Sequence, residues 1–250
     1  MIPRVLIIAG SDSGGGAGIQ ADIKTVAMLG GHGMTAITAI TAQNTLGVAA
    51  VELVSTDMVI AQIDAVVGDI GVDAVKIGMI GSAAIAQAVA ERLEGMPQIP
   101  VAFDPVMIAT SGSVLAEADT IVAFERLMRL AAVVTPNLPE LNALGGDPLR
   151  LAERSGAAIL VKGGHAEGPE IVDRLVEPDG RETLWRASRI ETRHNHGTGC
   201  TLASAIATGL GAGMPLGDAI TRARVYVRRA LEHAPGLGAG HGPMGFPSEN

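Results

Sequence analysis

Residues 5–26 read VLIIAGSDSGGGAGIQADIKTV, and three kinds of chain follow one another in them. Val5–Ala9 is an unbroken apolar run of strand length, which suits a strand buried on both faces. Gly10 to Gly18 is glycine and small polar residues, a loop. Ile19, Ile23 and Val26 then recur at helical spacing. This strand–loop–helix unit sets the expectation for the whole chain.

Working outward, the alternation continues. Thr35–Thr41 is β-branched and apolar, Met58–Val67 helical, Ala74–Ile77 a short strand and Ala83–Leu93 a helix. Val101–Phe103 is a strand ending at Asp104-Pro105, and Ala116–Leu130 a helix. Ala132–Val134 is a strand, Leu138–Leu144 a short helix, and Ala158–Val161 a strand stopping at Lys162-Gly163-Gly164. Two polar strands, Ile171–Val176 and Thr183–Ala187, form a hairpin around Pro178-Asp179-Gly180 at a sheet edge. Helices near Cys200–Gly211 and Leu216–His233 close the chain, and the Gly-rich tail after Pro235 is expected to be loosely ordered. The fold class is α/β, with a mainly parallel sheet covered on both faces. The 250 residues are expected to form one domain, with about 236–250 as the tail.

Composition narrows the function. A net charge of −8, no basic run and only Trp185, Tyr226, Phe103, Phe124 and Phe246 as aromatics argue against nucleic-acid binding. The single cysteine, Cys200, excludes an intrachain disulfide, and Val5–Ile8 is too short for a signal or membrane segment, so a cytoplasmic location is expected. Of 18 basic residues only Lys24, Lys76 and Lys162 are lysine, which marks them as places where a compact ammonium is wanted, or as chance.

Ligands of such sheets bind beyond the carboxyl ends of the strands. There the chain places Gly10-Ser11-Asp12, Gln43-Asn44, Gly78-Met79, Asp104-Pro105, Thr135-Pro136-Asn137 and Lys162-Gly163-Gly164. The glycines of the first loop do not fit the dinucleotide fingerprint, and no P-loop pattern occurs. The stronger signal is Asn195-His196-Gly197-Thr198-Gly199-Cys200, opening a helix whose first amides suit a phosphoryl group. Cys200 at that helix start is expected to be favoured as thiolate and to accept a proton from an attacking hydroxyl, or else to be a small buried hydrophobe. Zinc on His194, His196 and Cys200 lacks a fourth ligand. Asn137 and Glu140 either order Mg²⁺ and its waters or form an ordinary helix cap. Lys162 can reach phosphate as a point charge, and Asp104 can orient water, metal or substrate, or brace its loop.

Together with Ala9 to Asp22, Thr41-Ala42-Gln43-Asn44-Thr45, Lys76-Ile77-Gly78-Met79 and Asp104-Pro105-Val106-Met107, these segments resemble the hydroxymethylpyrimidine/phosphomethylpyrimidine kinases of thiamine biosynthesis, a branch of the ribokinase-like superfamily. The resemblance implies a ribokinase-like three-layer α/β/α sandwich, ATP as donor, Mg²⁺ as cofactor, and two successive transfers. The first is to the hydroxymethyl oxygen of 4-amino-5-hydroxymethyl-2-methylpyrimidine and the second to its monophosphate. It implies that Gly10, Gln43, Met79 and Val106 line the pyrimidine pocket. Gly197, Thr198, Gly199 and Cys200 would form the anion hole, with Cys200 as base, while Lys162, Asn137, Glu140 and Asp104 serve ATP. Glu140 and Asn137 would meet the metal through water. Many sugar kinases of the superfamily carry Asp where Cys200 stands. A homodimer follows by analogy. The rival expectations are a pyridoxal or pyridoxine kinase on the same scaffold and a non-catalytic pyrimidine sensor.

Overall fold

The computed structural model describes residues 1–107, 116, 118–165 and 168–248. Nine strands form one sheet: β1 Arg4–Asp12, β2 His32–Asn44, β3 Gly47–Leu53, β4 Ala74–Ile77, β5 Val101–Phe103, β6 Val133–Val134, β7 Ala158–Val161, β8 Glu170–Val176 and β9 Glu182–Ser188. Their spatial order is β3-β2-β1-β4-β5-β6-β7-β8-β9. The six from β2 to β7 run parallel, while β3, β8 and β9 are antiparallel additions at the two edges.

The apolar run that opened the sequence lies near the middle of that order. Its side chains alternate between two cores, which is why both faces had to be apolar. Leu6 and Ile8 join the core formed with α2 (Thr56–Asp69), α3 (Ala83–Glu94), α4 (Ala118–Leu130), α5 (Leu138–Ala143) and α6 (Pro148–Ser155). Val5, Ile7 and Ala9 join the other, formed with α1 (Gly18–Met28), α7 (Thr198–Gly211) and α8 (Leu216–Glu232). The result is helix, sheet, helix: three layers, as the resemblance implied. Large side chains in these layers are nearly all aliphatic, and the pair Phe103–Phe124 meets edge to face at 5.2 Å between centroids.

Three differences from the sequence reading have physical causes. The edge strand β3 was not foreseen, since its residues from Ala49 to Leu53 are exposed and leave no buried pattern to read. In helix α7 the spacing of Leu202, Ala203, Ile206, Ala207 and Leu210 predicts one narrow apolar stripe, yet Thr201 to Gly209 are all buried, because α1, α8 and the sheet surround it. The tail is docked. His241 donates its amide to the Thr45 carbonyl at 2.9 Å, Gly245 to the Ala230 carbonyl at 2.9 Å, and His196 to the Gly242 carbonyl at 3.1 Å. A Cβ on Gly242 would stand 2.1 Å from His194 Nδ1, so glycine serves close approach there rather than mobility.

Candidate active site

The parallel strands end in a row, and the row carries the residues singled out above. Across the sheet it runs from Gln43 and Asn44 of β2, through Asp12 of β1, Met79 beyond β4, Asp104 beyond β5 and Asn137 beyond β6, to Lys162 beyond β7. The start of α7 lies over this row. It touches the row near both ends, at His196 on Asp12 and at Gly199 on Lys162 and Asp104.

The glycine-rich loop is shaped by Asp12. Its carboxylate accepts the amides of Gly14 at 2.8 Å, Gly16 at 3.1 Å and Ala17 at 2.8 Å, and His196 Nε2 stands 2.9 Å away. Burial would raise the Asp12 carboxyl, but the hydrogen bonds from His196, Ala17 and Gly14 outweigh it and hold it below the usual range. Two backbones pass very close where the loop meets α7. Gly197 has φ +87°, and a Cβ there would fall 1.9 Å from the Gly16 carbonyl oxygen. No other residue type fits.

Gln43 lies beside the same histidine, its amide nitrogen 3.2 Å from His196 Nε2 and its amide oxygen 3.1 Å from Thr41 Oγ1. Thr41 has one hydroxyl proton and gives it to the Ser11 carbonyl at 2.8 Å. Turning the Gln43 amide end for end lets its NH₂ donate to Thr41 Oγ1 and sets its oxygen toward the single His196 Nε2–H, which it shares with the nearer Asp12 carboxylate. Gly10 and Met79 are adjacent, since a Cβ on Gly10 would meet Met79 Sδ at 3.0 Å. Val106 is half-buried beyond β5, with its amide on the Asp104 carbonyl at 2.8 Å; residues 108–115, which follow, lie outside the described residues.

At the other end of the row, Lys162 Nζ donates to Asp104 Oδ1 at 2.6 Å and stands 3.7 Å from Glu140 Oε2. Thr135 Oγ1 donates to the same Asp104 oxygen at 3.0 Å. Asn137 and Glu140 turn toward each other. Asn137 Oδ1 accepts the Glu140 amide at 2.9 Å and Glu140 Oε2 accepts the Asn137 amide at 2.8 Å, a complete capping box on α5. The cap alternative is therefore realised. Asn137 has spent its carbonyl oxygen on the helix, and burial raises the Glu140 carboxyl. Among the described residues no group of three His, Cys, Asp or Glu could hold a metal, which also removes zinc on His194, His196 and Cys200.

The α7 terminus itself has no side-chain cap. Thr198 gives its amide to the Asn195 carbonyl at 3.3 Å, while the Gly199 and Cys200 amides are left for an anion, and a Cβ on Gly199 would lie 3.2 Å from Lys162 Nζ, which puts a cation beside them. Here one expectation is corrected. The helix start was expected to favour the Cys200 thiolate. Instead, although Cys200 is only half-buried, desolvation of its sulfur pushes the thiol up to about 11, against the pull of the Lys76 charge and of the Gly18 amide. Low dielectric outweighs the dipole.

Sequence reasoning gave Lys76 no role beyond its scarcity, and gave none to Asp22 or Ser204. Lys76 is fully buried, with Nζ 2.7 Å from Asp22 Oδ2, and Asp22 Oδ1 accepts Ser204 Oγ at 2.7 Å. The three come from β4, α1 and α7, so no local pattern joins them.

Comparison with known proteins places this geometry. The model of the phosphomethylpyrimidine kinase family matches residues 12–245. The chain is 50% identical to the hydroxymethylpyrimidine/phosphomethylpyrimidine kinase of Rhizobium meliloti, over 98% of this chain and 97% of that one. It is 46% identical to the protein of the same name from Streptomyces coelicolor, over 97% and 93%. Among solved structures, it superposes on an ADP complex of Bacillus subtilis pyridoxal kinase with TM-score 0.89 at 31% identity, covering 99% and 98%. It superposes on Clostridium difficile phosphomethylpyrimidine kinase with TM-score 0.77 at 38% identity, covering 92% and 99%. The backbone thus sits nearer the pyridoxal kinase while the sequence sits nearer the pyrimidine kinases. Substrate contacts are made by side chains, so the sequence likeness decides: the chain belongs to the phosphomethylpyrimidine kinase family and is a phosphotransferase of the ribokinase-like fold.

Proposed function

We propose that the chain uses ATP to phosphorylate 4-amino-5-hydroxymethyl-2-methylpyrimidine on its hydroxymethyl oxygen and then phosphorylates the monophosphate to the diphosphate, supplying thiamine biosynthesis. The observation that carries this reading is the uncapped start of α7 with a lysine beside it and the lone sulfur in its first turn. Amides of Gly197, Gly199 and Cys200 receive the charge gathering on the transferred phosphoryl group, and Lys162 leaves Asp104 to join them. Cys200 takes the hydroxyl proton in the first transfer. Gly10, Gln43, Met79 and Val106 hold the ring, with the Gln43 amide kept in place by His196 and Thr41.

A Mg²⁺ bound mainly by phosphate oxygens would be met through water by the Glu140 oxygen outside the capping box, and not by Asn137, whose amide oxygen is held by the helix. Such an ion would supply charge neutralisation on the phosphates. A homodimer and a cytoplasmic location belong to the same reading. Among the described residues no helix is long and apolar enough to cross a membrane.

A pyridoxal kinase activity is the second reading, favoured by the TM-score of 0.89 to Staphylococcus aureus pyridoxal kinase solved with AMP-PCP and pyridoxal. ADP release measured with the pyrimidine, its monophosphate and pyridoxal in turn separates them. The pyrimidine reading expects release with the first two at rates well above pyridoxal, and turnover of pyridoxal alone overturns it.

A further inference from the structure

Helices α1 and α7 meet in register, one turn at a time. The upper turn holds Gly18 on one helix and Cys200 on the other. One turn along each helix, Asp22 accepts the Ser204 hydroxyl at 2.7 Å. Lys76 reaches into this seam from β4, on the sheet face that carries Ile7 and Ala102. Its side chain is 0% exposed, and its only way to remain an ion there is the Asp22 carboxylate at 2.7 Å. Gly78 makes the room, since a Cβ there would stand 2.6 Å from Lys76 Nζ.

Replacing a buried ion pair by packed apolar side chains is commonly neutral or stabilising, so stability alone gives little reason for this one. What it does possess is a place one helical turn from Cys200, fixed through Asp22 to Ser204, which shares the Cys200 face of α7 at i+4. We propose that the Lys76 ammonium, fixed by Asp22 and Ser204, is the counter-charge that lets Cys200 take the substrate's proton. Lys76 is a positioning residue in this account: it acts through the sulfur and touches no substrate. The proposal rests on the base role given to Cys200 above.

The step balances as follows. The hydroxymethyl O–H bond breaks and the proton passes to the Cys200 thiolate, forming S–H. The oxygen's electron pair forms the bond to the terminal phosphorus of ATP, and the bond from that phosphorus to its bridging oxygen breaks, its pair leaving with ADP. The sulfur returns its proton to water on product release. The charged groups acting on the sulfur are Lys76 from β4, Asp22 from α1, Asp104 beyond β5 and Lys162 beyond β7. Burial would lower the Lys76 pKa, but Asp22, Cys200 and Asp104 together hold it raised, so the ammonium keeps its charge throughout. The second transfer goes to a phosphate oxygen that is already anionic and needs no base.

Cys200 is the sole cysteine, so iodoacetamide reports on this sulfur alone. The test compares the wild-type chain with K76M/D22N, which removes both charges at once and leaves no buried ion unpaired. Circular dichroism checks the fold. The expected result is alkylation of Cys200 slowed by about a few-fold at one mildly alkaline pH, because Lys76 favours the thiolate more strongly than Asp22 opposes it and each unit of thiol pKa is a tenfold change in thiolate. First-transfer kcat falls in parallel, and the second transfer falls less. Unchanged alkylation in the folded variant overturns the proposal. If K76M/D22N does not fold, the wholly apolar K76M/D22L/S204A is read by the same criteria. Failure of the underlying base role is separate: it would appear as a first transfer that survives Cys200→Ala, whatever the alkylation rates do.

Discussion

Two lysine–aspartate pairs flank the start of α7, and they differ in access to water. Lys76–Asp22 is sealed, with both side chains 0% exposed, while Lys162–Asp104 opens to the row of strand ends, its lysine 14% exposed. Their hydrogen bonds are nearly equal, 2.7 Å and 2.6 Å. Geometry alone would call them the same interaction. Surroundings make them different tools. A sealed ammonium cannot leave its partner, so it can only impose a field on what lies near it. A partly open one can exchange a carboxylate for an incoming phosphate, and Glu140 at 3.7 Å gives it a second resting place.

Breaking each pair from the carboxylate side gives the largest contrast. Asp22→Ala leaves Lys76 buried and unpaired, a change worth about 3–5 kcal/mol of stability, read as a large drop in urea midpoint. Asp104→Ala is expected to cost clearly less, since Lys162 keeps Glu140 and water. Equal losses would erase the distinction. From the lysine side the contrast moves to catalysis. Lys162→Met is expected to lower both transfers by about 10²–10³-fold, the usual cost of one donor to a transition-state anion, with a smaller slowing of Cys200 alkylation than in K76M/D22N.

A pH profile sharpens the same point. The thiol is pushed up to about 11, so at neutral pH the sulfur holds its proton and only a small fraction is thiolate. The first transfer is therefore expected to rise by about tenfold per pH unit between neutral and mildly alkaline pH, while the second stays flatter. A plateau for the first transfer near neutrality would contradict this. The smallest effect is expected at the carboxylate with no lysine. Asp12→Asn should cost about 1–2 kcal/mol through its charge-assisted hydrogen bonds. Because the folded Asp12 pKa is depressed, that stability is present above its unfolded value and lost as pH falls through the folded one. The variant should thus show a shallower loss of melting temperature on acidification.

Much of this was legible in the chain. Val5–Ala9 announced a strand buried on both faces, and the polar residues at successive strand ends announced a composite site, because both signals are local. The scarcity of lysine picked out the two paired residues, along with Lys24, which only bonds the Gly15 carbonyl at 2.8 Å and lies over the Phe246 ring. Their partners were not legible: Asp22 is 54 positions from Lys76, and Ser204 is 182 from Asp22. The thiol was misjudged because a helix start is visible in sequence whereas the low dielectric around its sulfur is a tertiary property. The tail was misread for the opposite reason, as glycine looks the same in sequence whether it gives freedom or permits contact.

The most direct test of the base role is Cys200→Ala, with the two transfers assayed apart on the alcohol and on the monophosphate. The account predicts that the ratio of first to second transfer falls by about tenfold or more, a typical floor for losing a general base. An unchanged ratio, with both transfers reduced alike or neither reduced, would contradict it.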